Sequence, residues 1–148
     1  MSAFPTSHGT GLPIRAGASI AVIKDGAVLL VKRAAPPWRG LWSLPGGKVG
    51  LGEAPRDTAL RELKEETGIE ADRVRVLDTI DVAAEDEGGG TLRYRLTVFY
   101  GGYMKGTPRP ASDAAAVKWV ALDALAALPM TQGTAPLIRL AARRLGTA

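Results

Sequence analysis

The chain contains no cysteine and only one histidine. Without cysteine, disulfides, thiolate nucleophiles and cysteine-ligated zinc are excluded, and the chain is indifferent to the redox state of its compartment. The single histidine, His8, lies in an N-terminal stretch containing Pro, Ser, Thr and Gly, and we assign it no chemistry. Long apolar runs are also missing. Nowhere do about eighteen apolar residues follow one another, and Met1 to Gly17 lacks the apolar core of a secretory signal, so we expect neither a spanning helix nor a signal peptide. The cytoplasm is then the default location, with no membrane partner.

What is present fits one globular domain. At 148 residues, with 46% hydrophobic and 23% charged residues, the chain is long enough to bury a core of its own. We expect a single domain over 1–148, with 1–16 as a flexible tail. The net charge of +4 raises the question of nucleic acid. The basic residues are dispersed, however. Only Arg139, Arg143 and Arg144 are grouped, near the end of a helix whose dipole they complement, so nucleic acid is not an expected partner.

Residues 18–23 and 27–33 are apolar, β-branched runs separated by Lys24-Asp25-Gly26, which predicts a hairpin. Residues 34–40 form a Pro-rich loop, and 41–44 an extended piece leading to Pro45-Gly46-Gly47. Strands are predicted over 74–83 and 92–103, joined by an acidic, Gly-rich turn, and over 116–120. A short helix is expected at 123–128 and a final one from Gln132 or Gly133 to Leu145. Strand, strand, helix, strand, strand, strand, helix is a mixed pattern, not the strict alternation of a doubly wound sheet.

The most informative stretch is Gly47 to Ile69. Pro55 suits a first helical position and Gly68 the residue just past the end, which predicts a helix from about Ala54 to Thr67. At about 100° per residue, Glu62, Glu65 and Glu66 share one face, while Leu60, Leu63 and Thr67 lie on another. Glutamates so close repel one another on a solvated helix, and a divalent cation reverses the sign of that interaction. Mg²⁺ or Mn²⁺ takes oxygen ligands and usually completes its shell with water and substrate phosphate oxygens. A solvated acidic face, with Arg61 and Glu65 as an i,i+4 pair, is the alternative for these residues taken alone.

The glycines and the spacing decide between them. Gly47, Glu53, Arg61, Glu62, Leu63, Glu65, Glu66, Gly68 and Ile69 match every defined position of G-x5-E-x7-R-E-U-x-E-E-x-G-U, with U apolar, so the chain resembles the Nudix hydrolases. The resemblance covers most of 17–145, and only this box is highly specific. It implies an α/β (α+β) fold, a mixed sheet sandwiched between helices as α/β/α layers. It also implies a Mg²⁺- or Mn²⁺-dependent pyrophosphohydrolase acting on a nucleoside diphosphate linked to another moiety. Glu62, Glu65 and Glu66 would be metal ligands, and Glu53 would support or join the metal shell. Arg61 would hold the carboxylates, and a backbone carbonyl would come from Gly46 or Gly47. Many members are dimers, so a homodimer is possible here too.

Water would attack phosphorus, with no covalent nucleophile. Glu65, Glu66 or a loop carboxylate would act as base. Among loop candidates we favour Asp113 over Glu85, Asp86 and Glu87. Arg33 and Arg39 flank the loop before the box and are candidates for phosphate contact. Trp38, in the Pro-rich loop, is the candidate for stacking on a base, whereas Trp42 and Trp119 are expected in the core. The segments 40–48 and 119–129 are similar to small bacterial ADP-ribose pyrophosphatase-like members, making ADP-ribose or a similar nucleotide sugar the first expectation. Members specific for ADP-ribose often carry a proline about fifteen residues after the box, where this chain has Ala84 and Glu85. A MutT-like (d)NTP or 8-oxo-dGTP pyrophosphohydrolase is therefore the alternative. A third reading is a sensor that binds a nucleotide without cleaving it, against which the intact box argues.

Overall fold

The structure, a computed structural model, describes residues 14–85 and 88–146; side chains are described for these except Glu85. His8, Asp86 and Glu87 lie outside that range. The chain runs β1 (Ile14–Lys24), β2 (Ala27–Arg33), β3 (Trp42–Ser43), β4 (Gly46–Lys48), α1 (Pro55–Thr67), β5 (Glu70–Glu85), β6 (Thr91–Lys105), β7 (Ala114–Ala121), a 3-10 turn (Leu122–Ala127) and α2 (Thr134–Leu145).

All seven strands form one mixed sheet in the order β3-β2-β1-β6-β5, with β4 also on β1 and β7 also on β2. β1 and β6 run parallel, Ile14 to Ile23 facing Arg93 to Gly102, and β5 and β6 form a long antiparallel pair. Asp25 and Gly26 both take positive φ, 51° and 74°, as a tight two-residue hairpin turn requires.

The β1–β2 hairpin stays paired only at its tip, where Ile23 faces Val28. Beyond that the strands splay, and residues 42–48 run through the opening. β3 adds to β2 opposite Val31 and Lys32, and β4 adds to β1 opposite Gly17, Ala18 and Ser19. This splay delivers Gly46 and Gly47 to the middle of the sheet.

Both sheet faces are covered, which is why residues 18–23 read as a continuous apolar run. Ala18, Ile20, Val22, Leu29 and Phe99 pack with Ala59 and Leu63 of α1. Ala21, Ile23, Val28, Leu30, Val98 and Val120 pack with Ile138, Ala141 and Ala142 of α2. The expected α/β/α layering is what the structure shows.

The two largest departures from the expected boundaries are at strand starts. β1 begins at Ile14, so Ile14 to Ala16 belong to the sheet and not to a tail. β5 starts at Glu70, four residues before the expected strand, because Glu70-Ala-Asp-Arg is polar and irregular. The register slips there and Arg73 takes a φ of 53°. An edge strand can carry such residues since one side of it meets no neighbour. Trp42 is buried in the α2-side core, as expected. Trp119 is only half-buried, edge-on to Tyr103 at 5.9 Å between ring centroids.

Candidate active site

α1 is placed by its ends. Pro55 occupies the first turn, and Gly68, at φ 77°, returns its N–H to the Lys64 carbonyl. The N-cap residue Ala54 supplies no side-chain bond. Glu53 stitches the entry instead. Its Oε1 accepts from the Gly50 N–H (3.1 Å) and the Thr58 hydroxyl (2.6 Å), and Arg61 closes on both of its oxygens at 2.9 and 3.0 Å. Arg61, and then the Thr58 hydroxyl, hold the Glu53 carboxyl down to about 2. These bonds make Glu53 a support of the loop before α1.

Glu66 differs most from a simple helical-wheel reading. Only 5% exposed, it is buried where an acidic stripe pointing away from the core was expected. At about 100° per residue it lies about 60° from Leu63, on the border of the apolar stripe, and the glycine strand β4 covers it. Its Oε1 accepts from the Gly46 N–H at 3.2 Å. Burial pushes its carboxyl up to about 8; the Gly46 bond and Arg33 pull the other way, while Glu62 and Asp113 add to the rise. The Glu62 carboxyl is also raised, first by burial, with Glu65 and Asp113 adding and Arg61 opposing. Glu62, Glu66 and Asp113 therefore feel one another, although they come from a helix and a distant loop.

Glu65 is turned away onto Arg61 Nη1 at 2.9 Å, the i,i+4 pair foreseen for a solvated face. Among the described residues, no three His, Cys, Asp or Glu side chains are poised to hold an ion together. Glu62 and Glu66 form the inner pair, and Glu65 keeps its Oε1 on Arg61.

The two glycines act differently. A Cβ on Gly46 would overlap the Ala18 carbonyl and the Ser19 backbone, whereas one on Gly47 would overlap the Glu62 carboxylate. Backbone cannot give way, but a carboxylate can swing. Gly46→Ala should therefore cost about 1–3 kcal/mol of stability by overpacking. Gly47→Ala should unfold near the wild-type temperature yet lose about tenfold in divalent-ion affinity, the scale of a displaced ligand's support. Paired melting curves and Mn²⁺ titrations of the two variants check this.

These groups open into a cleft of about 980 Å³ that runs across the α2 side of the sheet. Glu62, Glu66, Gly46, Gly47 and Asp113 line it, together with Trp38, Tyr94, Leu96 and Leu137. Arg33 and Trp38 are in the wall, while Arg39 is exposed and outside it. Asp113 is set by backbone bonds. Its carbonyl accepts from Ala34 N–H, and Ala111 N–H bonds the Glu66 carbonyl, fixing this loop to the last turn of α1. Ser43 Oγ, also in the cleft lining, is buried with no protein partner.

The sequence reading missed Tyr94, Lys48 and Arg15, which also line the cleft. Tyr94 was foreseeable as the aromatic two residues before the core-facing Leu96, on the same strand face. Arg15 and Lys48 gave no signal, because their facing depends on pairing between distant segments.

The family model described as NUDIX domain matches residues 13–141. A Mycobacterium tuberculosis protein called putative 8-oxo-dGTP diphosphatase 2 is 39% identical over 102 residues, 68% of each chain. The ADP-ribose pyrophosphatase of Methanocaldococcus jannaschii is 48% identical over 46 residues, 31% of this chain and 27% of that one. The crystal structure of a MutT NUDIX hydrolase from Burkholderia pseudomallei superposes with a TM-score of 0.76 at 33% identity, covering 86% of this chain and 98% of the other. Together with the site, these likenesses define a pyrophosphatase acting on phosphoric anhydride bonds. The chain belongs to the Nudix hydrolase family, whose members generally use divalent metal ions.

Proposed function

We propose that the protein hydrolyses the pyrophosphate link of a nucleoside diphosphate joined to another group, using Mg²⁺ or Mn²⁺. The observation that carries this reading is the pair of carboxylates, Glu62 and Glu66, set beside a glycine strand in the wall of a nucleotide-sized cleft. Two carboxylates with little water and mutual repulsion suit a hard divalent cation. The residues present fit such an ion. Glu62 and Glu66 would hold it, with Glu65 and a Gly46 or Gly47 carbonyl as further donors. When bound, it neutralises phosphate oxygens and lowers the pKa of water.

The remaining work falls to the chain. The cleft walls hold the substrate along the sheet, Trp38 and Tyr94 offer flat apolar surface to a base, and the Arg33 guanidinium carbon lies 5.8 Å from the Trp38 ring centroid. Asp113 takes the proton of the attacking water at its carboxylate. Asp113→Asn should lower kcat by about 10²-fold with little change in KM, the usual scale of a lost general base. A steady-state comparison at saturating substrate checks it, and an unchanged kcat would pass the role to Glu65.

Two substrate classes each have an observation behind them. ADP-ribose or a related nucleotide sugar is supported by the short likeness to an ADP-ribose pyrophosphatase. A (d)NTP such as 8-oxo-dGTP is supported by the longer likeness to a putative 8-oxo-dGTP diphosphatase, and by Ala84 and Glu85 standing where ADP-ribose enzymes often have proline. A hydrolysis screen over ADP-ribose, other nucleotide sugars, dNTPs, 8-oxo-dGTP and dinucleoside polyphosphates, with Mg²⁺ or Mn²⁺, separates them. Binding without cleavage of any would replace the enzyme reading by that of a sensor.

A further inference from the structure

The loop between β2 and β3 is closed by one residue. Arg33 donates its backbone N–H to Leu41 (3.0 Å), accepts from Gly40 N–H (2.9 Å), and donates its side-chain Nε–H to the Pro37 carbonyl (2.9 Å). Inside this closed loop Trp38 takes a φ of 67°, a region that bulky L residues avoid unless their surroundings enforce it. The Leu41 N–H bonds the Trp38 carbonyl at 3.1 Å. Trp38 is thereby turned onto Tyr94, ring centroids 6.0 Å apart and planes tilted by 49°. Tyr94 is buried on β6, which makes it the fixed half of the pair. The Arg33 guanidinium carbon lies 5.8 Å from the Trp38 ring centroid, within cation–π reach.

A phosphate-binding arginine uses its planar fork on the ligand. Here the Nε–H is already spent on the protein's own loop, and the guanidinium carbon lies within cation–π reach of Trp38. We propose that Arg33 is a positioning residue: by bonding Pro37 it holds Trp38 in the wall that receives the base, and it contributes to substrate binding through Trp38 and not through phosphate. This rests on the reading of the cleft as a nucleotide site.

Side-chain chemistry separates the two roles. Glutamine places an uncharged N–H donor at the same number of bonds from Cα as the arginine Nε. Lysine keeps the charge and has no donor there. A positioning role therefore predicts that Arg33→Gln substitutes better than Arg33→Lys, and a phosphate-binding role predicts the reverse.

The test measures binding of dGMP, AMP and inorganic pyrophosphate, each with Mg²⁺, to wild type, Arg33→Ala, Arg33→Gln, Arg33→Lys, Trp38→Ala and the Arg33→Ala/Trp38→Ala double variant. Trp38→Ala should weaken the tighter-binding nucleotide about tenfold, the scale of one lost base-stacking contact, and leave pyrophosphate within about twofold. Arg33→Ala and Arg33→Lys should do the same, Arg33→Gln should stay near wild type, and the double variant should be no weaker than Trp38→Ala alone. Weakened pyrophosphate binding that Arg33→Lys restores would overturn the proposal, as would additive effects in the double variant. In both cases a nucleotide-specific loss in Trp38→Ala would leave the nucleotide reading standing. Unchanged nucleotide binding in Trp38→Ala would overturn the base wall and the proposal with it. The lysine and glutamine variants retain the aliphatic stem, so the comparison survives if Arg33→Ala fails to fold.

Discussion

Glu66→Gln should lower kcat by about 10³-fold, since a metal ion supplies several kcal/mol to such a reaction and each 1.4 kcal/mol is tenfold. The substitution keeps the shape of the side chain and its bond from Gly46, so the fold should survive although the position is buried. Near-normal turnover would remove Glu66 from the metal site. A second readout needs no substrate. In the metal-free protein the Glu66 carboxyl is raised from 4.5 to about 8 by burial. Between those values the folded state keeps a proton that the unfolded state releases, so this group makes stability fall as pH rises, by up to about 1.4 kcal/mol per unit. Its stabilising share is complete below 4.5 and lost above about 8. Denaturant titrations with chelator at pH 5 and pH 8 should show this slope in the wild type and a flatter one in Glu66→Gln. Cation binding should release a proton from Glu66 and oppose the loss, so Mg²⁺ should stabilise the wild type more at pH 8 than at pH 5.

This behaviour also marks where the sequence stops being readable. The box could be read because its glycines, proline and carboxylates act locally. Pro55 and Gly68 bracket α1 within one residue of the expected span, and the Asp25-Gly26 turn lies where its dipeptide put it. The apolar run before that turn told of a strand, and the cover on both of its faces is why the run is unbroken. The burial of Glu66 was not legible, because it depends on β4 passing through the splayed β1–β2 pair. Helical periodicity knows nothing of that opening. The early start of β5 was hidden for a related reason, since polar residues at a sheet edge carry no alternation to read. Asp113 could be named from its place before a strand. Its nearness to Glu62 and Glu66 comes from backbone bonds between segments some forty-five residues apart, Ala111 to Glu66. Tyr94, Lys48 and Arg15 share that limit: each faces the cleft through strand pairing, and pairing is not written in any one segment.

Arg61→Ala should rival Glu66→Gln in its effect on turnover without touching the cleft wall. Arg61 closes on both oxygens of Glu53, holds Glu65 at 2.9 Å and approaches Glu62 at 3.5 Å. One guanidinium thus ties the loop before α1 to two of the carboxylates expected to hold the ion. Loss of a supporting partner commonly costs a metal ligand about 10- to 100-fold in affinity or activity, and Arg61 supports two, so a combined loss near 10³-fold is expected. Lysine cannot replace it, because a single ammonium cannot span Glu53 in the bidentate manner while also reaching Glu65. Arg61→Lys should therefore fall closer to Arg61→Ala than to wild type. The effect should reach acid stability too. The Glu53 carboxyl is depressed to about 2, chiefly by Arg61, so its contribution is present above 4.5 and lost as pH falls toward 2. Without Arg61 that depression shrinks, and the variant should lose less stability than the wild type over this acid range. Full activity in Arg61→Lys, or an unchanged acid titration in Arg61→Ala, would show that the clamp is ordinary surface pairing. The geometry argues otherwise: Glu53 also takes the Gly50 N–H and the Thr58 hydroxyl, so freeing it loosens the glycine loop and the first turn of α1 together.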